Sequence, residues 1–236
     1  MPPKQQMTKF HNNGNFVQWL IIILGLIVVI NVAGIYADYM ELDLLMRIPN
    51  TPKNVSLAGE LRANDIIQKT VSYSLWAFTF IAGALFLAWV YLSNQNLHTF
   101  NLKHLKYTPD KALGYFFMPV VNIFLAPAIM SELWKGSDPD KTSSGGWLDS
   151  RGTWKIPIWW FAVLINVIFR WYGESVKYYV FALRPTQEIL LSNQKELMFS
   201  HLCGAVAGLL GIQIIREINR RQTEKALTAG LLEANP

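Results

Sequence analysis

Apolar side chains in this chain fall into long unbroken blocks rather than the amphipathic stripes of a soluble core. Residues 16–37 and 71–92 run for 22 positions each without an Asp, Glu, Lys or Arg. Residues 197–215 are equally free of them, and 155–173 admit only Lys155 and Arg170. A helix rises ~1.5 Å per residue, so each block spans most or all of a hydrocarbon layer ~30 Å thick. The pattern predicts an all-α, polytopic membrane protein with four transmembrane helices. Lys4 and Lys9 ahead of the first block raise a signal peptide as the competing reading. Its apolar stretch outruns the ~7–15 residues of a signal core, and no small-x-small cleavage site follows. The block is therefore read as an uncleaved first span. Trp76, Trp89 and Tyr91 near the ends of the second block suit interfacial aromatic belts, as do Trp159, Trp160, Trp171 and Tyr172 in the third.

The connecting segments differ in kind. Residues 1–15 form a short N-terminal flank, and 38–70 read as a polar loop. Within that loop MRIPNTPK at 46–53 is not helical, because each proline restricts its predecessor and lacks a donor. The pattern LAGELRANDIIQK from Leu57 returns to a helical period and leads into the second span. Residues 135–151 read as a hydrophilic linker with a flexible SSGG centre at 143–146. Residues 174–196 form a second polar loop with Arg184 and Pro185 as a helix stop, and 216–236 a charged, solvated tail.

Residues 112–134 stand apart. They are apolar enough to enter a membrane, yet Pro119 and Pro127 interrupt them and Asn122 lies between. A straight helix would lose a backbone bond at each proline, at ~3 kcal/mol apiece. The expectation is a proline-broken re-entrant or interfacial segment between helices 2 and 3, with a short helix beginning after Pro127. Amides at the start of that helix would face an anion, a headgroup or Glu132 of a neighbouring chain, and Asn122 would bridge the freed backbone groups. Pro119, Asn122, Pro127, Glu132 and Trp134 are accordingly the candidate functional segment.

Composition narrows the class. Hydrophobic residues make up 52% and charged residues 16%, against roughly 25% charged in soluble domains, and the mean hydropathy is +0.22. Disorder, a collagenous fibre and a disulfide scaffold are excluded, the last because Cys203 is the single cysteine. The net charge of +5 reads as cationic flanks that meet membrane lipids, not as a nucleic-acid surface, since no basic run interleaves with aromatics. With 112–134 not crossing, thirteen Lys/Arg fall on the side of the termini and seven on the other. The positive-inside rule then places both termini in the cytoplasm, with the protein in the cell membrane. A fully crossing segment would move the N-terminus outside.

Candidate chemistry is sparse. No phosphate loop, dinucleotide fingerprint, HExxH or CxxC occurs, and no cofactor is expected. His11, His98, His104 and His201 lack a second ligand at metal spacing, so no metal site is expected. The carboxylates or histidines gathered at one depth that an enzyme needs are not evident. Arg170 is the one permanently charged residue well inside a span, and reads either as an anchor that snorkels beside Glu174 or as part of a polar pathway. Asn31 and Asn166 are lone intramembrane amides suited to interhelical hydrogen bonds or to a pore lining. Gly204, Gly208 and Gly211 form a small-residue stripe that lets a second helix approach, from this chain or another copy.

The stretch from 96 to 138 resembles a bacterial membrane family known as domain of unknown function 4328. The matching residues are NL at 96–97, TP at 108–109, GYFFMP at 114–119, VVNIF at 120–124, Pro127 and ELW at 132–134. WW at 159–160 is similar as well, while Ala128 departs from the aromatic expected after the second proline. The resemblance implies a four-helix domain of a bacterial inner membrane and brings no activity with it. The residues favour a non-enzymatic membrane protein acting as a homo-oligomeric channel, pore or membrane effector. The alternatives are a lipid-active enzyme or carrier with its polar site at the 119–127 break, and a passive membrane subunit of a larger complex.

Overall fold

The computed structural model describes residues 10–50, 57–183 and 186–232. Among them are six α-helices: α1 (Gly14–Arg47), α2 (Ala58–Thr99), α3 (Pro109–Phe116), α4 (Pro119–Gly136), α5 (Lys155–Leu183) and α6 (Gln187–Thr228). α1, α2, α5 and α6 are long and apolar enough to cross a membrane, and α4 is not among them. The protein is an all-helical, multi-pass membrane protein with four spanning helices. The predicted stop at Arg184 and Pro185 lies outside the described residues, as do Lys4 and Lys9.

The helices overrun the apolar blocks that announce them. α1 continues past Ala37 to Arg47, so the first ten residues of the expected 38–70 loop are helical, Met46 and Arg47 included. Asp43 sits 3.0 Å from Arg47 one turn on, and Arg47 reaches Glu60 at 2.5 Å to tie α1 to α2. A 3-10 turn, Ile48–Asn50, then ends the helix at Pro49. α5 and α6 likewise convert most of the expected 174–196 loop into helix. Charge marks where a helix leaves lipid, but Asp, Glu, Lys and Arg all tolerate helical backbone well enough to continue it.

The proline segment also differs from expectation. Pro119 occupies the first turn of α4, where its missing N–H satisfies no bond anyway, and Pro127 lies inside the helix. No new helix begins at Ala128. Pro127 removes a single donor, and Ser131 donates its hydroxyl to the Pro127 carbonyl at 2.7 Å.

The chain divides into two compact units. The first comprises Met1–Ile22, Ala82–Ile158 and Leu210–Pro236. Trp89, Leu97, Ile129, Leu133 and Ile218 are fully buried in it, so Trp89 is a core residue and not an interfacial one. Its 135–151 linker is held rather than free: Lys103 N donates to Ser144 O at 2.7 Å, and Trp147 Nε1 donates to Lys103 O at 2.8 Å. The second unit comprises Ile23–Ile81 and Trp159–Leu209. It exposes Tyr36, Tyr39, Tyr73, Trp76, Trp171 and Tyr172 on three helices. Amphipathic rings grouped in this way suit a headgroup layer.

Candidate functional site

In the first unit, the 112–134 segment forms a folded corner. Thr108 caps α3, its hydroxyl accepting from Lys111 N, and Pro109 starts the helix. Asn122 Nδ2 donates to Phe116 O at 3.2 Å and closes the turn into α4. Asn122 thus bridges one backbone group, not several. Glu132 is 5% exposed and accepts from the amides of Lys106 at 2.8 Å and Tyr107 at 3.2 Å. Burial holds its carboxyl above the ordinary carboxylate range, while those two amides pull the other way. Its acceptors are therefore spent on this chain's own loop and not on a neighbour's helix. Trp134 is buried, donates its indole N–H to Arg151 O at 3.2 Å, and carries the Arg221 guanidinium 4.1 Å over its ring.

Around that corner several buried polar groups are matched to one another. Asn96 donates to His11 O and accepts from His11 N, and also donates to Gln222 Oε1 at 3.0 Å. Gln222 in turn donates to Ser93 O and Ser137 Oγ. Lys225 sets its ammonium against the carbonyls of Gly136, Asp138 and Lys141, at the end of α4 and just beyond it. Such pairing is what buried polar groups need in order to stay folded.

The second unit brings together residues that the sequence keeps far apart. Asn31 Nδ2 donates to Ile27 O at 2.8 Å, which leaves Oδ1 facing the His201 ring. His201 Nδ1 lies 3.0 Å from that oxygen. An amide oxygen only accepts, so Nδ1 carries the hydrogen. Nε2 then faces Asp38 Oδ2 across 3.6 Å, where two lone pairs would repel. A proton on either atom turns that repulsion into attraction. Asp38 is 1% exposed, and its Oδ1 accepts from Gln68 Nε2 of α2 at 2.9 Å. Asn31, Asp38, Gln68 and His201 therefore join α1, α2 and α6 through one titratable centre.

Glycines make room for this centre. A Cβ on Gly34 would fall 2.5 Å from the His201 ring, and one on Gly204 2.6 Å from Asn31 Oδ1 and 2.8 Å from Asn166 Nδ2. Gly208 meets Val28 of α1 in the same way, at 2.6 Å. Gly211, in the first unit, is buried. Gly204 and Gly208 thus receive side chains of this chain's own helices, which matches the within-chain reading of the stripe. Gly208→Leu should lower stability in detergent by ~1–3 kcal/mol through overpacking. The particle mass in mild detergent should stay unchanged. A fall in mass would return the stripe to an interface between copies.

Two further contacts join the spanning helices of this unit. Asn166 Nδ2 donates to Ser200 O at 2.8 Å, and Ser200 Oγ donates back to Asn166 O at 3.1 Å. Arg170 donates to Ser72 Oγ at 3.2 Å, lies 4.0 Å from Glu174, and is within electrostatic range of Asp38. Among the described residues no group of three or more His, Cys, Asp or Glu is arranged to hold a metal ion. Sequence reasoning missed Asp38 because it placed the end of the first span at Ala37, and set His201 aside because no second ligand stood at metal spacing. The available signal was two stripes at helical spacing, Asn31, Gly34 and Asp38 on α1 and His201, Gly204 and Gly208 on α6.

Comparison with known proteins adds the lineage. No curated protein and no solved structure matches this chain. One family model matches residues 54–220, described as a domain of unknown function, DUF4328. That match takes in α2 to α5, the folded corner at Glu132 and the His201 side of the titratable centre. The chain belongs to the DUF4328 family of membrane proteins.

Proposed function

We propose that this protein is a non-enzymatic membrane effector whose helix packing responds to protonation of the Asp38–His201 pair. The carrying observation is that pair: an almost fully buried carboxylate 3.6 Å from a buried imidazole, in helices that span the membrane. Ionisable groups in such surroundings are costly, and they are commonly kept for function. Here the contact links α1 to α6, and Gln68 extends it to α2, so loss or gain of one proton bears on three helices at once. Histidine is the side chain suited to respond between pH 5 and 8.

The folded corner around Glu132 supports an anchoring role, which leaves the lipid-active alternative without the polar break it needs. Both termini in the cytoplasm are part of the same reading. It is supported by the first unit, which takes in the start of α1, the whole α2–α5 connector and the end of α6. Self-association belongs to the proposal too.

Hydrogen exchange of the full chain in lipid nanodiscs, followed from pH 5 to 8, tests the reading. Amides of α1 and α6 near Asp38 and His201 should change protection across that range in the wild type. Asp38→Asn and His201→Gln should each remove the change while keeping the helices folded. A wild type whose protection follows only intrinsic exchange chemistry would sink the proposal. Stepwise current in planar bilayers, lost in both variants, would replace the effector with a channel.

A further inference from the structure

An open groove of about 510 Å³ in the first unit is unrelated to the titratable pair. Its floor is Val17, Ile21 and Ile22 of α1, and its rim is Gln18 with Arg216, Asn219 and Arg220 of α6. That volume falls within the ~300–1,000 Å³ usual for small-ligand sites. The two walls change character at the same place. The chain entering α1 passes from the polar HNNGN of residues 11–15 to an apolar run from Phe16 onward, and α6 ends its charge-free run at Ile215, immediately before Arg216. The groove therefore lies where hydrocarbon gives way to headgroups, with an apolar floor and a cationic rim.

The two rim arginines are not equivalent. Arg220 is already engaged: its Nε and Nη2 donate to Glu217 at 3.0 and 2.7 Å, and its Nη1 pairs with Glu224 at 2.5 Å. Arg221 donates to Glu217 at 2.8 Å and turns its guanidinium over Trp134. Arg216 is exposed and takes part in no hydrogen bond or ion pair among the described residues. A guanidinium with a free planar fork matches a phosphodiester geometrically, and Asn219 and Gln18 supply neutral donors beside it.

We infer that this groove binds one anionic glycerophospholipid, its acyl chain along Val17, Ile21 and Ile22 and its phosphodiester on Arg216. The occupant is a lipid and not a free anion, because three aliphatic side chains line the site and Glu217 and Glu224 already neutralise much of the local positive charge. A zwitterionic lipid fits the floor equally well but brings a cation to a rim that is already cationic at Arg216.

Native mass spectrometry of the delipidated full chain, with phosphatidylglycerol or phosphatidylcholine of identical acyl chains, tests this. The wild type should retain phosphatidylglycerol preferentially. Arg216→Gln should weaken that binding by about tenfold, the loss of one charge-assisted hydrogen bond, and Arg216→Lys should restore part of it. Arg151→Gln, a cation elsewhere in the same unit, should leave it unchanged. Equal retention of the two lipids by the wild type would overturn the inference, as would equal losses in Arg151→Gln and Arg216→Gln. Displacement of the lipid by millimolar inorganic phosphate would assign the groove to free anions instead.

Discussion

Asp38→Ala should destabilise the protein by ~3–5 kcal/mol, the range for breaking a buried ionic contact from one side. The carboxylate is 1% exposed and faces both His201 Nε2 and Gln68 Nε2. Removing it strands the buried His201 ring and takes away the acceptor of the half-buried Gln68, and a stranded buried group costs more than the bond itself contributed. Asp38→Asn keeps an acceptor for Gln68 and should cost visibly less. Unfolding in mixed detergent micelles measures both. Asp65 is the reference, an exposed carboxylate paired with Lys69 at 2.6 Å, where an alanine should cost under ~1 kcal/mol. Equal losses at Asp38 and Asp65 would show that the pair contributes nothing to stability.

Lys225→Met is the second large effect, expected at ~2–4 kcal/mol. The ammonium lies 2.9 Å from Gly136 O, 3.1 Å from Asp138 O and 3.0 Å from Lys141 O, and is also 5.4 Å from the Phe100 ring. Hydrogen bonds to a charged donor contribute about 1.5–3 kcal/mol each, and three sharing one donor add up to less than their sum. Methionine fills the space but takes the shared charged donor away from the Gly136, Asp138 and Lys141 carbonyls, of which Asp138 O keeps only the Lys141 amide. Lys225→Arg should not rescue, because a planar fork cannot converge on three carbonyls as a compact ammonium does. Hydrogen exchange should show faster opening at residues 136–150, and unchanged exchange there would refute the role.

The four spanning helices were legible in the sequence because lipid imposes a one-dimensional requirement. Every backbone group in hydrocarbon must be satisfied within the helix, so a charge-free run of sufficient length declares itself without reference to any partner. Helix ends were not legible in the same way. Hydropathy reports where lipid stops, whereas Asp43, Arg47 and Glu60 continue and clasp the helices beyond that level. Pro127 carried a strong local signal for a break, and the surrounding packing of α4 overrode it. The glycine stripe was visible as a close-approach surface, but its partner was not. Which helix fills it depends on where α1 lies, and residues 24–28 of α1 are some 180 positions away along the chain from Gly208.

The candidate site divides along the same line. Asn31, Asn166 and Arg170 could be singled out one by one, because a polar group in an apolar block is conspicuous by itself. The meeting of Asp38 with His201 could not, since Asp38 lies just past the first charge-free block and nothing local marks His201, inside the fourth, as its partner. Local composition thus determined that this is a four-span helical membrane protein with a handful of costly polar groups. Only the tertiary structure decided which of those groups touch, because contact between residues 38 and 201 is set by helix packing that no local pattern encodes.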